Sequence, residues 1–415
     1  MSVITVSLAS GDVLAISQET ENRYMDETVD LKRLTDDIDW NFVIPKFRIF
    51  VLYPDETVNY EIPPEDIKVG GSYQENYQNG QRRTLSFTLY NMDGKYTPGI
   101  NQMWVGTRLR FDLGVQMIGG ATYWFRKGTF IITSVSPSFN PASREVSVSA
   151  GDKFSLFERN TGKLTSTYEI PYGSDIQSVF HDVLYQNIGD GYVLDPQEVL
   201  YNQAFAGKKT QVKITHNSGE NFSNILLDLA SQLSAEIFYN SNGNLVVAPI
   251  NEITNDVDKP LLWKYNIDAG GFGKLDFSIN YEQVVNRVIV VGTSTAGGAF
   301  VSEAVNDDPG SPLCWQRIGK RTGDILNDSA IYSKPLAEER AQYELRKNLI
   351  LTTSSSTTVL LNPFLQVNNL ISLSSEKLGF NTERFLLQSV SCNLDFSNSM
   401  SISFSNLRNL PFLVK

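Results

Sequence analysis

The side chains with the most chemistry to offer are few and far apart. The 415-residue chain has two histidines, His181 and His216, and two cysteines, Cys314 and Cys392. A zinc site takes several such residues at short spacing, and these four are scattered. A Ser/His/Asp set needs a nucleophile turn such as Gly-x-Ser-x-Gly, which the sequence lacks. A glycosidase needs two facing carboxylates, one of them flanked by apolar residues, and no pair stands out among the 46 acids. Asn91-Met92-Asp93-Gly94-Lys95-Tyr96-Thr97-Pro98 reads as a tight turn closed by proline. Its oxygen ligands do not continue over the twelve residues of a calcium loop. Gly270, Gly271 and Gly273 resemble a phosphate loop in spacing, but no helix start or Gly-Lys-Ser/Thr follows, so they read as a linker. Trp104, Tyr123 and Trp124 could stack on a saccharide, although such residues in a β protein usually serve the core or cross-strand pairs. The expectation is a chain that is not an enzyme, with no catalytic residue, cofactor or metal.

The elements around these residues support that view. Residues 174–184 form a helix pattern with Ser174 as N-cap, and His181 reads as a surface position on it. His216 precedes a second helix, capped by Asn217 or Ser218, with Phe222, Ile225, Leu226, Leu229 and Leu233 on one face. Two strands follow, at 235–239 and 245–249, around a turn containing Asn242-Gly243. A third helix opens at Ser333-Lys334-Pro335 and is lined by Ala337, Ala341, Leu345 and Leu349. Cys392 sits in an alternating strand as a small buried hydrophobe.

Composition narrows the class. Phe, Tyr, Ser, Thr and Val are plentiful, which favours strands. The formal net charge is −11, and no basic run exceeds Lys208-Lys209 or Arg82-Arg83, so a dedicated nucleic-acid binder is not expected. Two distant cysteines make no disulfide framework. The N-terminus does not read as a signal peptide, and no run approaches the roughly 18 apolar residues of a membrane helix. A soluble protein made in a reducing cytoplasm is expected.

The strongest organising signal is a repeat. Residues 130–149 read FIITSVSPSFNPASREVSVS, and residues 385–403 read FLLQSVSCNLDFSNSMSIS. Phe130 matches Phe385, Ser134-Val135-Ser136 match Ser389-Val390-Ser391, and Phe139 falls on Leu394. Val146 and Val148 fall on Met400 and Ile402. Each copy is a hairpin of alternating strands. Upstream, Val105, Leu109 and Phe111 share the spacing of Val367, Ile371 and Leu373. Before each lies another β-rich run, 84–89 and 357–361. The expected fold class is mainly β (α+β), with two duplicated β-barrel-like domains and an inserted helix-hairpin module. The expected divisions are an N-terminal arm at 1–45, a first barrel-like hub domain at 46–160, the helix and hairpin module at 161–268, and a second barrel-like domain with one helix at 269–415. In the arm, residues 3–8 alternate and are expected to add a strand to a sheet elsewhere. Residues 19–39 are acidic and read as an extended arm. Residues 295–312 read as a loop.

Several stretches together resemble phage tail-tip and baseplate hub proteins of the T-even baseplate hub family. They are TLYNMDGKYTPG at 88–99, NRVIVVG at 286–292, DDPGSP at 307–312, IGKR at 318–321, the helix at 337–349, and the helix-hairpin segment ending YNSNGNL at 239–245. The resemblance covers roughly residues 45–410. It implies a structural virion protein of the tail tip or baseplate, made in the host cytoplasm. Hubs of this kind carry two similar barrels per chain and form homotrimers. The ring of six units docks on a sixfold tail tube and presents threefold symmetry to a central spike or fibre. The implied partners are a second and third copy of the chain, a tail tube or distal tail protein, a tape measure protein, and the spike or fibre. DNA passes through the lumen without specific binding. Any wall hydrolase is expected on a separate chain. The two hairpins are the expected ring-forming stretches, with Phe130, Ile132, Val135, Phe385, Leu387 and Val390 as interface residues. A receptor- or saccharide-binding tail protein, and a wall-degrading tail enzyme, are the alternatives.

Overall fold

The computed structural model describes residues 3–7, 13–17, 43–97, 103–116, 120, 122–140, 143–158, 161–185, 195–249, 261–269, 273–279, 284–293, 298–328, 331–377 and 380–406. Strands β1 (Val3–Ser7) and β2 (Val13–Ser17) pair with each other. The alternating run at 3–8 therefore finds its partner within the arm and not in a sheet elsewhere. The acidic run at 19–39 and the linker glycines Gly270 and Gly271 lie outside the described residues.

The first β unit comprises β3 (Ile44–Leu52), β4 (Val58–Glu61), β5 (Ile67–Asn76), β6 (Arg83–Tyr90), β7 (Arg108–Gln116), β8 (Thr122–Phe139) and β9 (Arg144–Asp152). Their order in the sheet is β5-β6-β9-β8-β7-β3-β4, antiparallel throughout. Strict alternation sets the faces: Leu85, Phe87 and Leu89 of β6 are buried, while Thr84, Ser86 and Thr88 point outward. The sheet curls on itself. Tyr73 of β5 and Phe111 of β7 are separated by three strands in the sheet, yet their rings lie 5.6 Å apart.

A helix-hairpin module follows. It holds β10 (Tyr168–Ile170), α1 (Ile176–Leu184), β11 (Leu200–Tyr201), β12 (Ile214–His216), α2 (Phe222–Gln232), β13 (Ala235–Tyr239) and β14 (Leu245–Pro249). Ile176, Val179, Phe180, Val183 and Leu184 of α1 pack against Ile225, Leu226 and Leu229 of α2 in a core of their own. The helix starts differ from expectation. Asp175, one residue later than Ser174, caps α1 by accepting from the Ser178 amide at 2.9 Å. Ser174 instead turns its hydroxyl back to the Pro171 carbonyl. Helix α2 starts after Asn221, because Glu220 folds back to accept from the Asn217 amide and closes a separate turn. Leu233 is the C-cap of α2.

The second β unit begins with β15 (Leu261–Asn266) and β16 (Asp276–Ile279). An α/β insertion then intervenes, with β17 (Arg287–Thr293), β18 (Ala299–Val305), α3 (Trp315–Ile318), β19 (Leu326–Asn327) and α4 (Lys334–Thr352). Ala337, Ala341, Leu345 and Leu349 of α4 cover this small sheet in a third core. Strand β18 runs through the stretch expected as a loop. Its inward face joins a partly covered Phe300 to the small Ser302 and Ala304, while Val301 is exposed on the other side, so no clean hydrophobic period shows, and it forms by pairing along the full length of β17. The unit resumes with β20 (Thr353–Leu360), β21 (Leu370–Ser375), β22 (Phe380–Leu394) and β23 (Ser399–Asn406).

The two units repeat one topology. The second runs β16-β20-β23-β22-β21-β15, matching β5-β6-β9-β8-β7-β3 strand for strand. Irregularities repeat as well. The β8–β9 register slips between Ile132 and Ser134, and the β22–β23 register slips between Leu387 and Ser389. Val135 then faces Val148, and Val390 faces Ile402, as the sequence match requires. The β6 equivalence slides from the expected position: Leu85 faces Ala150, and Ser355 faces Phe404, so 84–89 corresponds to 354–359. Residues 353–358 contain no apolar side chain, so their strand period was not visible. One departure stands out: β3 runs antiparallel to β7, whereas β15 runs parallel to β21. Among the described residues, thirteen strands form one continuous sheet, and the two units share one core.

Candidate assembly surface

The two units meet edge to edge. Residues 389–394 of β22 pair antiparallel with residues 71–76 of β5, Val390 facing Glu75, Cys392 facing Tyr73 and Leu394 facing Gly71. Leu394 is fully buried there. A Cβ on Gly71 would stand 3.0 Å from the Leu394 Cδ1 and 2.3 Å from the Ser86 carbonyl oxygen, so only glycine fits between the strands. Burial raises the Cys392 thiol to about 11, which leaves it a neutral packing group.

A second clasp lies behind the joint. Lys127 of β8 is fully buried and donates to the carbonyls of Pro363 and Leu365 in the second unit. Burial lowers its ammonium to about 8. Phe125 meets Phe364 edge to face at 5.2 Å, and Trp263 of β15 stacks on the same ring at 6.0 Å.

Buried ion pairs fix the helix-hairpin module against both units. The Lys153 ammonium lies 2.6 Å from Glu56 and 2.5 Å from Asp195, with side chains at most 3% exposed. Asp195 also accepts from the Tyr239 hydroxyl at 2.6 Å. Arg82 pairs with Glu236 at 2.7 Å, and Glu236 accepts from Asn368 of the second unit at 3.1 Å. Asp152 accepts from the amides of Arg82 and Arg83, yet burial raises its carboxyl to about 6. Asp328 of the α/β insertion accepts from Ser231 of α2 at 2.6 Å.

Around the joint, the outward face of the sheet is made of uncharged polar side chains, whereas farther along, on β3 and β7, Arg48 and Arg110 pair with Asp112. On the first unit they are Ser72 and Gln74 of β5, Thr84, Ser86 and Thr88 of β6, Ser147 and Ser149 of β9, and Ser134, Ser136 and Ser138 of β8. On the second they are Ser356 and Thr358 of β20, Ser401 and Ser403 of β23, and Ser389, Ser391 and Asn393 of β22. Hydroxyls pair across strands: Ser72 with Ser86 at 2.9 Å, Thr88 with Ser147 at 3.2 Å, Ser389 with Ser403 at 2.6 Å. The face runs unbroken over the joint, where Ser391 sits opposite Gln74 and Asn393 opposite Ser72. The Lys68–Glu145 ion pair, 2.9 Å, lies at one margin. Between these margins the named side chains offer hydrogen bonds and carry no fixed charge.

Phe130, Ile132, Phe385, Leu387 and Val390 all point into the shared core and are at most 1% exposed. Val135 is half-buried on the outer part of β8. Sequence reasoning passed over the hydroxyl face, although alternation at 84–88, 147–149 and 401–403 carries it. It also passed over Lys153, Glu56 and Asp195, which lie far apart in sequence. His181 is exposed on α1. His216 is buried between Glu220 at 3.0 Å and Asp228 at 3.3 Å. Burial opposes its charge, but the two carboxylates outweigh it and raise its pKa. Trp104 is exposed, while Trp124 is covered by the Arg48 guanidinium at 4.3 Å. Among the described residues, no three His, Cys, Asp or Glu side chains converge as a metal site. Among the described residues, no helix is long and apolar enough to cross a membrane.

No protein-family model and no curated protein sequence matches the chain. Solved structures do. The tail protein from Neisseria meningitidis aligns over 88% of this chain and 98% of its own, with a TM-score of 0.58 at 13% identity. The 43 kDa tail protein of prophage MuSo2 from Shewanella oneidensis aligns over 87% and 98%, with a TM-score of 0.55 at 16% identity. Prophage tail protein gp18 from Listeria monocytogenes aligns over 86% and 94%, with a TM-score of 0.51 at 12% identity. Identities this low speak of architecture alone, and the architecture they share with this chain is the fold of phage tail proteins.

Proposed function

We propose that this chain is a structural hub of a phage tail tip or baseplate. Three copies form a ring of six similar β units, which closes the end of the tail tube and converts its sixfold symmetry to the threefold symmetry of a central spike or fibre. The observation that carries this reading is the pair of units with one strand order, joined edge to edge in a single chain. A ring adaptor between sixfold and threefold neighbours needs such a unit twice per subunit. On this reading the two β units form the ring, the second of them beginning with β15, and the helix-hairpin module between them braces them. The uncharged hydroxyl face lines the lumen, where DNA passes without specific binding. The tail tube or distal tail protein, the tape measure protein and the spike or fibre dock on the rims. The protein has no catalytic role, and its place is the virion. Val135 remains at the edge available to another subunit.

Light scattering of the purified protein tests the reading. Three chains per particle, independent of concentration, is the expected result. A monomer at every concentration that also binds host saccharide, with loss on Trp104→Ala, would replace it with a receptor-binding role.

A further inference from the structure

Lys153, Asp195 and Glu56 are arranged for more than ion pairing. Lys153 follows β9 directly, Asp195 lies between α1 and β11, and Glu56 lies in the turn between β3 and β4. The Lys153 Nζ is 2.5 Å from the Asp195 Oδ1 and 2.6 Å from the Glu56 Oε1, with all three side chains at most 3% exposed. The Tyr239 ring walls the site 5.2 Å from the ammonium, and Phe157 stacks on that ring. The Tyr239 hydroxyl donates to the other Asp195 oxygen, Oδ2, at 2.6 Å. Glu56 is the unusual member. Its φ is +67°, a left-handed conformation that a side chain disfavours. Among the described residues, none gives its buried oxygens a hydrogen bond of good geometry, although the Lys153 ammonium is so close. A strained, buried carboxylate aimed at a lysine that already touches a second carboxylate suits a proton relay. The sequence agrees. Pro196 follows Asp195 and has no N–H. The ordinary side reaction of an aspartate, closure onto the nitrogen of the next residue, is therefore blocked.

We propose that Lys153 and Asp195 condense to an amide, a covalent cross-link between the first β unit and the helix-hairpin module. Glu56 takes a proton from the Lys153 ammonium, and the freed amine attacks the Asp195 carboxyl carbon. The Tyr239 hydroxyl steadies the charge that gathers on Oδ2. The bond from nitrogen to carbon forms, and the bond from carbon to Oδ1 breaks. Of the three ammonium protons, one stays on the amide nitrogen. The other two leave with Oδ1 as water, carried by Glu56, which ends as it began. An ammonium and a carboxylate thus become a neutral amide and water, with no oxidant, cofactor or second protein. Exclusion of water from the site protects the product from hydrolysis. The ion pairs described above belong to the newly folded chain, before the bond closes.

Mass spectrometry of the denatured chain tests this. Wild type, held folded at neutral pH, is expected to weigh one water molecule less than its sequence. Trypsin is expected to leave the chain uncut after Lys153 and to release one branched fragment joining residues 145–159 to residues 164–208. Glu56→Gln keeps the shape of the side chain and removes the relay. It is expected to fold, as read by circular dichroism, and to keep its full sequence mass. Asp195→Ala is expected to keep its full mass as well. A wild-type chain that folds and retains its full sequence mass overturns the proposal, as does a loss of water that maps outside the branched fragment. A cross-link as abundant in Glu56→Gln as in wild type overturns the relay.

Discussion

Replacing Lys153 by methionine keeps the length of the side chain and removes its charge. In the structure that charge stands between Glu56 and Asp195, at 2.6 and 2.5 Å, with none of the three more than 3% exposed. Losing one member of a buried ion pair typically costs ~3–5 kcal/mol, because the partner stays buried without compensation. Two features moderate the loss here. Arg108 lies 3.7 Å from Glu56, and the Tyr239 hydroxyl donates to Asp195. The expected cost of Lys153→Met is therefore near the lower end, about 3 kcal/mol. Urea unfolding followed by circular dichroism reads this as a lowered midpoint. Adding Glu56→Gln and Asp195→Asn removes the orphaned charges, and the triple variant is expected to regain at least half of the loss. Unfolding of Lys153→Met within about 1 kcal/mol of wild type, or a triple variant no more stable than the single one, would show that the buried charge does not hold these elements together.

Lys127 gives a pH signature. Its folded pKa, about 8, lies below the usual 10.5, so the folded state holds fewer protons than the unfolded state between those values, and stability rises with pH across that window. The gain is about 3 kcal/mol by the pKa difference, and Lys127→Met is expected to lose it in unfolding series at pH 8 to 10.5. Gly71→Ala forces a Cβ against the Ser86 carbonyl and Leu394, and is expected to cost about 1–3 kcal/mol or more in the same assay. Asp175→Ala removes the cap of α1 and is expected to cost about 1 kcal/mol. Ser149→Lys with Ser401→Lys places charge on the hydroxyl face. It is expected to leave stability within about 0.5 kcal/mol and to confer salt-sensitive DNA retention in a filter assay, with none expected of wild type.

Much of this architecture was legible in the residues. The hairpins at 130–149 and 385–403 were aligned correctly because one face of each is core, and a slip of one residue would have turned Val148 or Ile402 outward. The α4 stripe and the 235–249 hairpin followed from period and turn residues. What escaped had no period to read. Strand β18 mixes an exposed Val301 with the inward Ser302 and Ala304, and the first six residues of β20 are all Ser and Thr, so both exist because a neighbour offers a ladder. The helix caps slipped because several small polar residues stood in a row, and only the fold decides which of them faces the first turn. The Lys153 cluster joins residues 56, 153 and 195, a contact that no local pattern announces. Phe139 aligns with Leu394 in the repeat, but its exposure needed the structure.

The edge-to-edge union of the two units inside one chain also bears on how readily a ring could form. Each partner that joins freely from solution gives up translational and rotational freedom, and that loss is several kcal/mol per association. Covalent connection holds β22 and β5 at a high effective concentration, so their joint forms as part of folding at no such cost. A six-unit ring built from this chain would need two associations from solution where single-unit proteins would need five. The three inner joints would already be set when the first contact between chains forms.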